Sequence, residues 1–282
     1  MRVFNRYRSI VLTVGVIVLL QTTAQAAAVT FSAAGSGPAG IQATVDAFRA
    51  AVGNPNNGNA PGPLASGRRE INWDGGGTAI TPGGTPFSAF QDIRGALFST
   101  PGSGFVQAPS AAGGLDVAFG NPAYAGLFST FSPARVFTPV GSNVTDVTFF
   151  IPGTGGGTAA TVTAFGAVFS DVDLPNVTSM EFFSISGASL GTFFVPALAG
   201  TAQSLSFLGV QFNAGEQIAR VRITTGNAAL SASALDGGAT DLVVMDDFIY
   251  SEPQAVPESS TIVLLGTGLV ALGFGFMHRR RK

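Results

Sequence analysis

The chain has 282 residues, no cysteine and one histidine, His278, so everything before its last five residues lacks disulfides, Cys-His and Ser-His-Asp catalysis, and the usual zinc, haem and iron-sulfur ligands. The formal net charge of −2 hides an asymmetry, because half of the fourteen basic residues lie in the two ends; between Ala27 and Gln254 seven arginines and no lysine face fifteen acids, a net of −8. Such a surface repels phosphate backbones and excludes nucleic acid as a partner, and without lysine the glycines from Gly153 to Gly157 read as a loop between strands rather than a phosphate cradle.

Residues 1–26 carry Arg2, Arg6 and Arg8, an apolar run from Ile10 to Leu20, and the small-x-small triplet Ala24-Gln25-Ala26. That is the pattern of a secretory signal peptide, with the Sec machinery and signal peptidase as partners and a mature chain beginning near Ala27. Residues 27–254 are then the exported domain. Its first part, 27–140, is rich in Gly, Pro, Asn and Ala and reads as mostly irregular. One short N-terminal helix stands out from Ala39 to Val52, where Ile41, Val45, Phe48 and Val52 recur at helical spacing before Gly53. Its apolar stripe is expected to pack on the edge of a sheet. Asn54 to Gly67 reads as an exposed, mobile and dispensable loop, punctuated by Pro and Gly.

Arg68 to Gly75 holds the only tryptophan, Trp73, beside Glu70, Asn72 and Asp74. Trp73 and Asp74 are the residue types with which a lectin-like surface stacks on a sugar and bonds its hydroxyls; the other reading of Trp73 is core packing. Glu70 with Asp74 is also the pair an acid-residue carbohydrate-active hydrolase would need, although nothing in the spacing sets their separation.

From Asp146 to Tyr250 the pattern is regular. Seven runs rich in Val, Thr, Phe and Ile (146–151, 161–169, 179–185, 189–195, 204–212, 217–225 and 242–250) alternate with turn residues, and Ile218, Val221 and Ile223 face away from Arg220 and Arg222. The expected fold is mainly β, an antiparallel jelly-roll-like β-sandwich, with 69–73, 114–119 and 134–138 adding strands. Within it, Asp171, Asp173 and Asn176 project hard oxygen ligands from one turn, which suits calcium; solvated turn residues are the alternative. Asp246-Asp247-Phe248-Ile249 resembles the Asp-Asp-Phe/Ile signature on the final strand of jelly-roll carbohydrate-binding and adhesion domains, where it helps hold a structural calcium. That resemblance adds Asp247 to the candidate ligands, because strict alternation sends Asp246 and Asp247 to opposite faces.

The tail, 255–282, begins with Val256-Pro257-Glu258-Ser259-Ser260-Thr261, continues as an apolar stretch over 261–277 and ends in His278-Arg279-Arg280-Arg281-Lys282. About 17 residues rising about 1.5 Å each cover about 26 Å, close to a bilayer's hydrocarbon thickness, and the basic end belongs on the cytoplasmic side. Val256, Pro257, Glu258, Ser260 and Thr261, the small-residue helix, and Arg279, Arg280 and Arg281 together resemble the PEP-CTERM sorting tail of Gram-negative bacteria, with Ser259 standing where that family has proline. The resemblance implies an exosortase partner and a path from an inner-membrane intermediate to the cell surface or extracellular matrix. The function expected is therefore that of an exported, non-catalytic β-sandwich, adhesive or associated with extracellular polysaccharide.

Overall fold

The structure, a computed structural model, describes residues 28–256. The expected signal peptide, the membrane helix over 261–277 and the sorting residues Pro257, Glu258, Ser259, Arg279, Arg280 and Arg281 lie outside the described residues. No helix among the described residues is long and apolar enough to cross a membrane.

Fifteen strands form two antiparallel sheets: β1 Ala28–Gly35, β2 Arg68–Ile71, β3 Thr81–Gly83, β4 Ala96–Ser99, β5 Gly104–Pro109, β6 Arg135–Val140, β7 Val144–Phe150, β8 Ala159–Thr161, β9 Ala164–Ser170, β10 Ser179–Phe183, β11 Ser189–Phe194, β12 Leu205–Phe212, β13 Arg220–Thr224, β14 Val244–Ser251 and β15 Gln254–Ala255. One sheet runs β1-β12-β9-β14-β6-β5-β3 with β2 paired to β14, and the other runs β11-β10-β13-β7-β8-β15 with β4 paired to β7. In the second sheet alternation is clean: Val147 and Phe149 of β7, Met180 and Phe182 of β10, and Val221 and Ile223 of β13 point inward. They meet Phe165, Phe169, Leu208, Val210, Met245 and Phe248 of the first sheet in one core.

The first sheet is covered on its other face as well. The helix α1, Pro38–Val52, lays Ile41, Val45 and Phe48 on Ala164, Val168, Leu205, Phe207 and Ile249. It therefore packs on the face of the sheet rather than on its edge. Gly166 and Gly209, directly paired across β9 and β12, make this possible: a Cβ on either would come within 2.8 Å or 2.6 Å of the Phe48 ring. A second outer cluster gathers Leu115, Tyr124, Phe128 and Leu230 over Val106, Val136 and Val244.

Residues 27–140 are less irregular than their composition suggests. They supply β1 to β6, and β1 pairs over its whole length with β12. The expected strand at 114–119 is a short helix, Leu115–Phe119, closed by Gly120 at φ 64°. The loop 54–67 is not free. Arg69 and Glu252, 0% and 3% exposed at their side chains, form a two-pronged ion pair at 2.8 and 2.7 Å. Arg69 also donates to the carbonyls of Gly58 and Ala60, while Glu252 accepts from Asn57 and from the Leu64 amide. A buried charge pair thus holds the loop at four points, and a loop that satisfies a buried arginine is not dispensable.

Candidate functional site

Two carboxylate clusters occupy separate parts of the sandwich. The first lies where β2 meets β14. The pairing of β14 with β9 shifts register between Met245 and Phe248, so Asp246 and Asp247 together oppose one residue. This bulge defeats the strict alternation expected from the sequence: both carboxylates are buried and both reach the same segment. Asp246 Oδ2 accepts from the amides of Phe131 at 2.6 Å and Ser132 at 3.3 Å, and Asp247 Oδ1 accepts from Ser132 Oγ at 2.5 Å. Asp74 closes the group, accepting from Ser132 Oγ at 3.1 Å and the Arg135 amide at 3.0 Å.

Trp73 sets this geometry and cannot contact a glycan as expected. It is 1% exposed, its ring stacks on Phe137 at 3.8 Å, and Phe90, Phe98 and Phe248 meet it edge-on. Its Nε1 donates to the carbonyl of Asp246 at 3.1 Å, which ties the bulge to the core. The aromatic platform is used up inside the protein.

Beside the bulge is an open polar cavity of about 360 Å³ lined by Arg49, Glu70, Asn72, Arg94, Ser132 and Asp247 among others. Arg49, from α1, bonds Glu70 at 2.9 Å and lies 3.6 Å from Asp247, and Arg68 bonds the other Glu70 oxygen at 2.6 Å. Arg94 donates to the Glu70 carbonyl and to Asn59. Burial pushes the Asp247 carboxyl up to about 6, Glu70 and Asp74 add to the rise, and the Ser132 hydroxyl and Arg49 oppose it. Burial first, then the charge of Asp247, raises Asp246 well above the ordinary carboxylate range, against the amides of Phe131 and Ser132.

The second cluster lies at the far end of β9. Asp171 follows the strand directly, in a left-handed conformation at φ 68°, with its amide bonded to the Ser204 carbonyl at 2.9 Å. Carboxylate oxygens of Asp171, Asp173 and Asp236 all lie within 4.8 Å of one another. Asp241, fully buried, accepts from the amides of Asp173 at 3.1 Å and Leu174 at 3.3 Å, joining the two loops. Asn227 braces the second loop, receiving the Asp241 amide on its Oδ1 and donating to the Ala239 carbonyl. Burial pushes Asp171 up to about 8, reinforced by Asp236, Asp173 and Asp241; the Gln203 amide, which donates to the Leu127 carbonyl, opposes without satisfying either oxygen. Burial also raises Asp241 to about 6, against the Asp173 and Leu174 amides.

Of the expected calcium ligands, then, Asp171 and Asp173 come together with Asp236, Asn176 is exposed a few residues further along the same loop, and Asp247 belongs to the other cluster. Asp236 and Asp241 escaped sequence reasoning because no local spacing links them to Asp171; only the Asp-Gly-Gly turn at 236–238 marked that loop as a place where a side chain turns inward. The fold and its two clusters define a mainly β protein of two packed antiparallel sheets. Family models, curated proteins and solved structures gave no match to this chain.

Proposed function

We propose that the protein is exported and sorted to the cell surface or extracellular matrix of a Gram-negative bacterium, where it displays a non-catalytic, jelly-roll-like sandwich that associates with extracellular polysaccharide. The observation that carries this reading is the combination, in one chain, of the signal pattern in residues 1–26 with a tail from Val256 to Lys282 that resembles a PEP-CTERM sorting signal. In this account the Sec machinery and signal peptidase act at the first end. The apolar stretch 261–277 holds an inner-membrane intermediate at the other, with Arg279, Arg280 and Arg281 preventing it from sliding through until exosortase acts. The cavity of Arg49, Arg94, Glu70, Asn72 and Asp247 supports the polysaccharide partner, because closely set charged donors and acceptors suit a ligand rich in hydroxyls.

Mass spectrometry of the protein from its native cells tests the sorting step. The expected mature chain begins near Ala27 and lacks the residues after about Val256. A chain ending at Met277 should appear in the medium or remain unprocessed; if it localises and matures like the full chain, the sorting reading fails.

One observation favours a second reading, an acid-residue carbohydrate-active hydrolase: Asp247, held up to about 6, lines the same cavity as Glu70. Incubation with a panel of polysaccharides separates the two. Retention without new reducing ends supports the binding role, and release of reducing ends that is lost in Asp247→Asn supports the hydrolase.

A further inference from the structure

The seven arginines among the described residues are all engaged away from the Asp171 cluster. Arg49 and Arg68 hold Glu70, Arg69 holds Glu252, and Arg220 and Arg222 share Asp146 at 2.8 Å each. Arg94 is bound to Asn59 and the Glu70 carbonyl, and Arg135 to Thr81, Gln107 and the Trp73 carbonyl. There is no lysine between Ala27 and Gln254 to take their place. Three carboxylates thus converge at the end of β9 with no protein cation to match them. Asp171 is 0% exposed, and neither of its oxygens, nor Oδ1 of Asp173, has a hydrogen-bond partner. A fully buried carboxylate with two orphaned oxygens is costly unless something positive meets it. No cationic side chain among the described residues does.

We propose that Asp171, Asp173 and Asp236 bind one calcium ion through their carboxylate oxygens, with Asp241 fixing the two loops that carry them. The spacing fits: calcium-oxygen distances of about 2.3 to 2.6 Å place ligands on opposite sides of an ion about 5 Å apart, and the oxygens here lie within 4.8 Å of one another. Chemistry narrows the ion. The donors are all oxygen, since the described residues contain no cysteine or histidine, which excludes the metals that prefer nitrogen or sulfur. The ligands come from two loops 65 residues apart in sequence, and Asp173 and Asp236 are partly exposed, leaving room for water in an adjustable coordination shell. That suits calcium better than magnesium, which demands a near-ideal octahedron at shorter distance. The ion would join the end of β9 to the approach to β14, two neighbours in the first sheet. This site stands apart from the cavity at Glu70 and does not depend on the sorting or polysaccharide reading.

The test uses the full chain purified in detergent. Equilibrium dialysis against radioactive calcium should give one bound ion per chain. Calcium at a hundredfold excess over its Kd should raise the melting temperature by roughly 5 to 10 degrees, and chelator should reverse the rise. Asp171→Asn and Asp236→Asn should each abolish binding and the shift, while Asp247→Asn should retain both. Dialysis is read on the wild type, so it remains decisive if a variant fails to fold. No bound calcium and an unchanged melting curve would overturn the proposal, as would full binding by both Asp171→Asn and Asp236→Asn. Equal stabilisation by magnesium would overturn the choice of ion.

Discussion

The two carboxylate clusters differ in how their charge is met. Around β2 most carboxylate oxygens have a local answer: Glu252 has Arg69, Glu70 has Arg49 and Arg68, Asp247 has Ser132 with Arg49 nearby, and Asp246 has the Phe131 and Ser132 amides on Oδ2, with its Oδ1 left without a partner. At the end of β9, Asp171 has none. The same sandwich therefore contains one region where arginines and amides answer most of the acids and one where Asp171 meets neither a cation nor a hydrogen-bond donor among the described residues. The difference teaches where to look for a ligand in a domain with more acids than arginines, which is where the cations run out rather than where acids are most numerous.

Four measurements would break or sharpen that contrast. The largest effect belongs to the buried pair. Arg69→Ala leaves Glu252 buried and unpaired and should cost about 3 to 5 kcal/mol in urea unfolding, while replacing both partners by Met and Leu should recover most of it. The single variant should also open residues 54–67 to limited proteolysis, which the wild-type segment, held by its hydrogen bonds to Arg69 and Glu252, is expected to resist. If the loop is cut equally fast in both, the clamp described above does not hold it. In the cation-free cluster the sign should reverse. In chelator, Asp171→Asn should stabilise the protein by about 2 to 3 kcal/mol, because a neutral amide replaces an unmatched buried carboxylate. A destabilised variant under those conditions would mean that the cluster is balanced already.

Asp247 should show its environment through pH. Its folded value of about 6 lies above the ordinary Asp value, so its favourable contribution is fully present below about pH 4 and is lost as pH rises through about 6. Asp247→Asn removes that loss and relieves Asp246 as well. The stability of the variant relative to wild type should therefore grow by on the order of 2 kcal/mol from about pH 4 to about pH 7, read by urea unfolding at each pH. A flat difference would show that Asp247 is already well solvated. The smallest effect is expected at the surface pair Arg222 with Asp146, where Arg222→Ala should cost no more than about 1 kcal/mol and less in high salt.

How much of this was legible in the sequence follows from burial. The strands from 144 to 224 in the second sheet could be read because only one of their faces is buried, as in β7, where inward and outward residues alternate strictly. The strands β5, β9 and β14 are buried on both faces, so period-two patterning disappears; β9 and β14 still stood out as apolar runs, but β5, with Gly104 and Pro109 at its ends, did not. Trp73 offered two readings for a related reason, and the structure takes the core-packing one. Its polar neighbours suggested a surface, yet its backbone is left-handed at φ 64° and its ring stacks inside on Phe137, while Glu70 and Asn72 line the cavity. Half of the Asp171 cluster was visible as a local Asp-x-Asp spacing. The other half arrives through the long connection from β13 to β14, and no window along the chain holds both.

The order in which the chain emerges gives the position of β14 a further meaning. It is the last long strand, yet it sits in the middle of its sheet between β9 and β6 and also receives β2. The first strand likewise waits for residues 205–212. A chain delivered from its N-terminus can thus complete neither the margin nor the centre of this sheet until nearly all of the described residues are out. A stalled or truncated product ending before Val244 would expose the unpaired backbone of β9 and β6 to any neighbouring strand. Folding is deferred to the end of synthesis by topology alone, which favours all-or-none completion over the accumulation of half-built sheets.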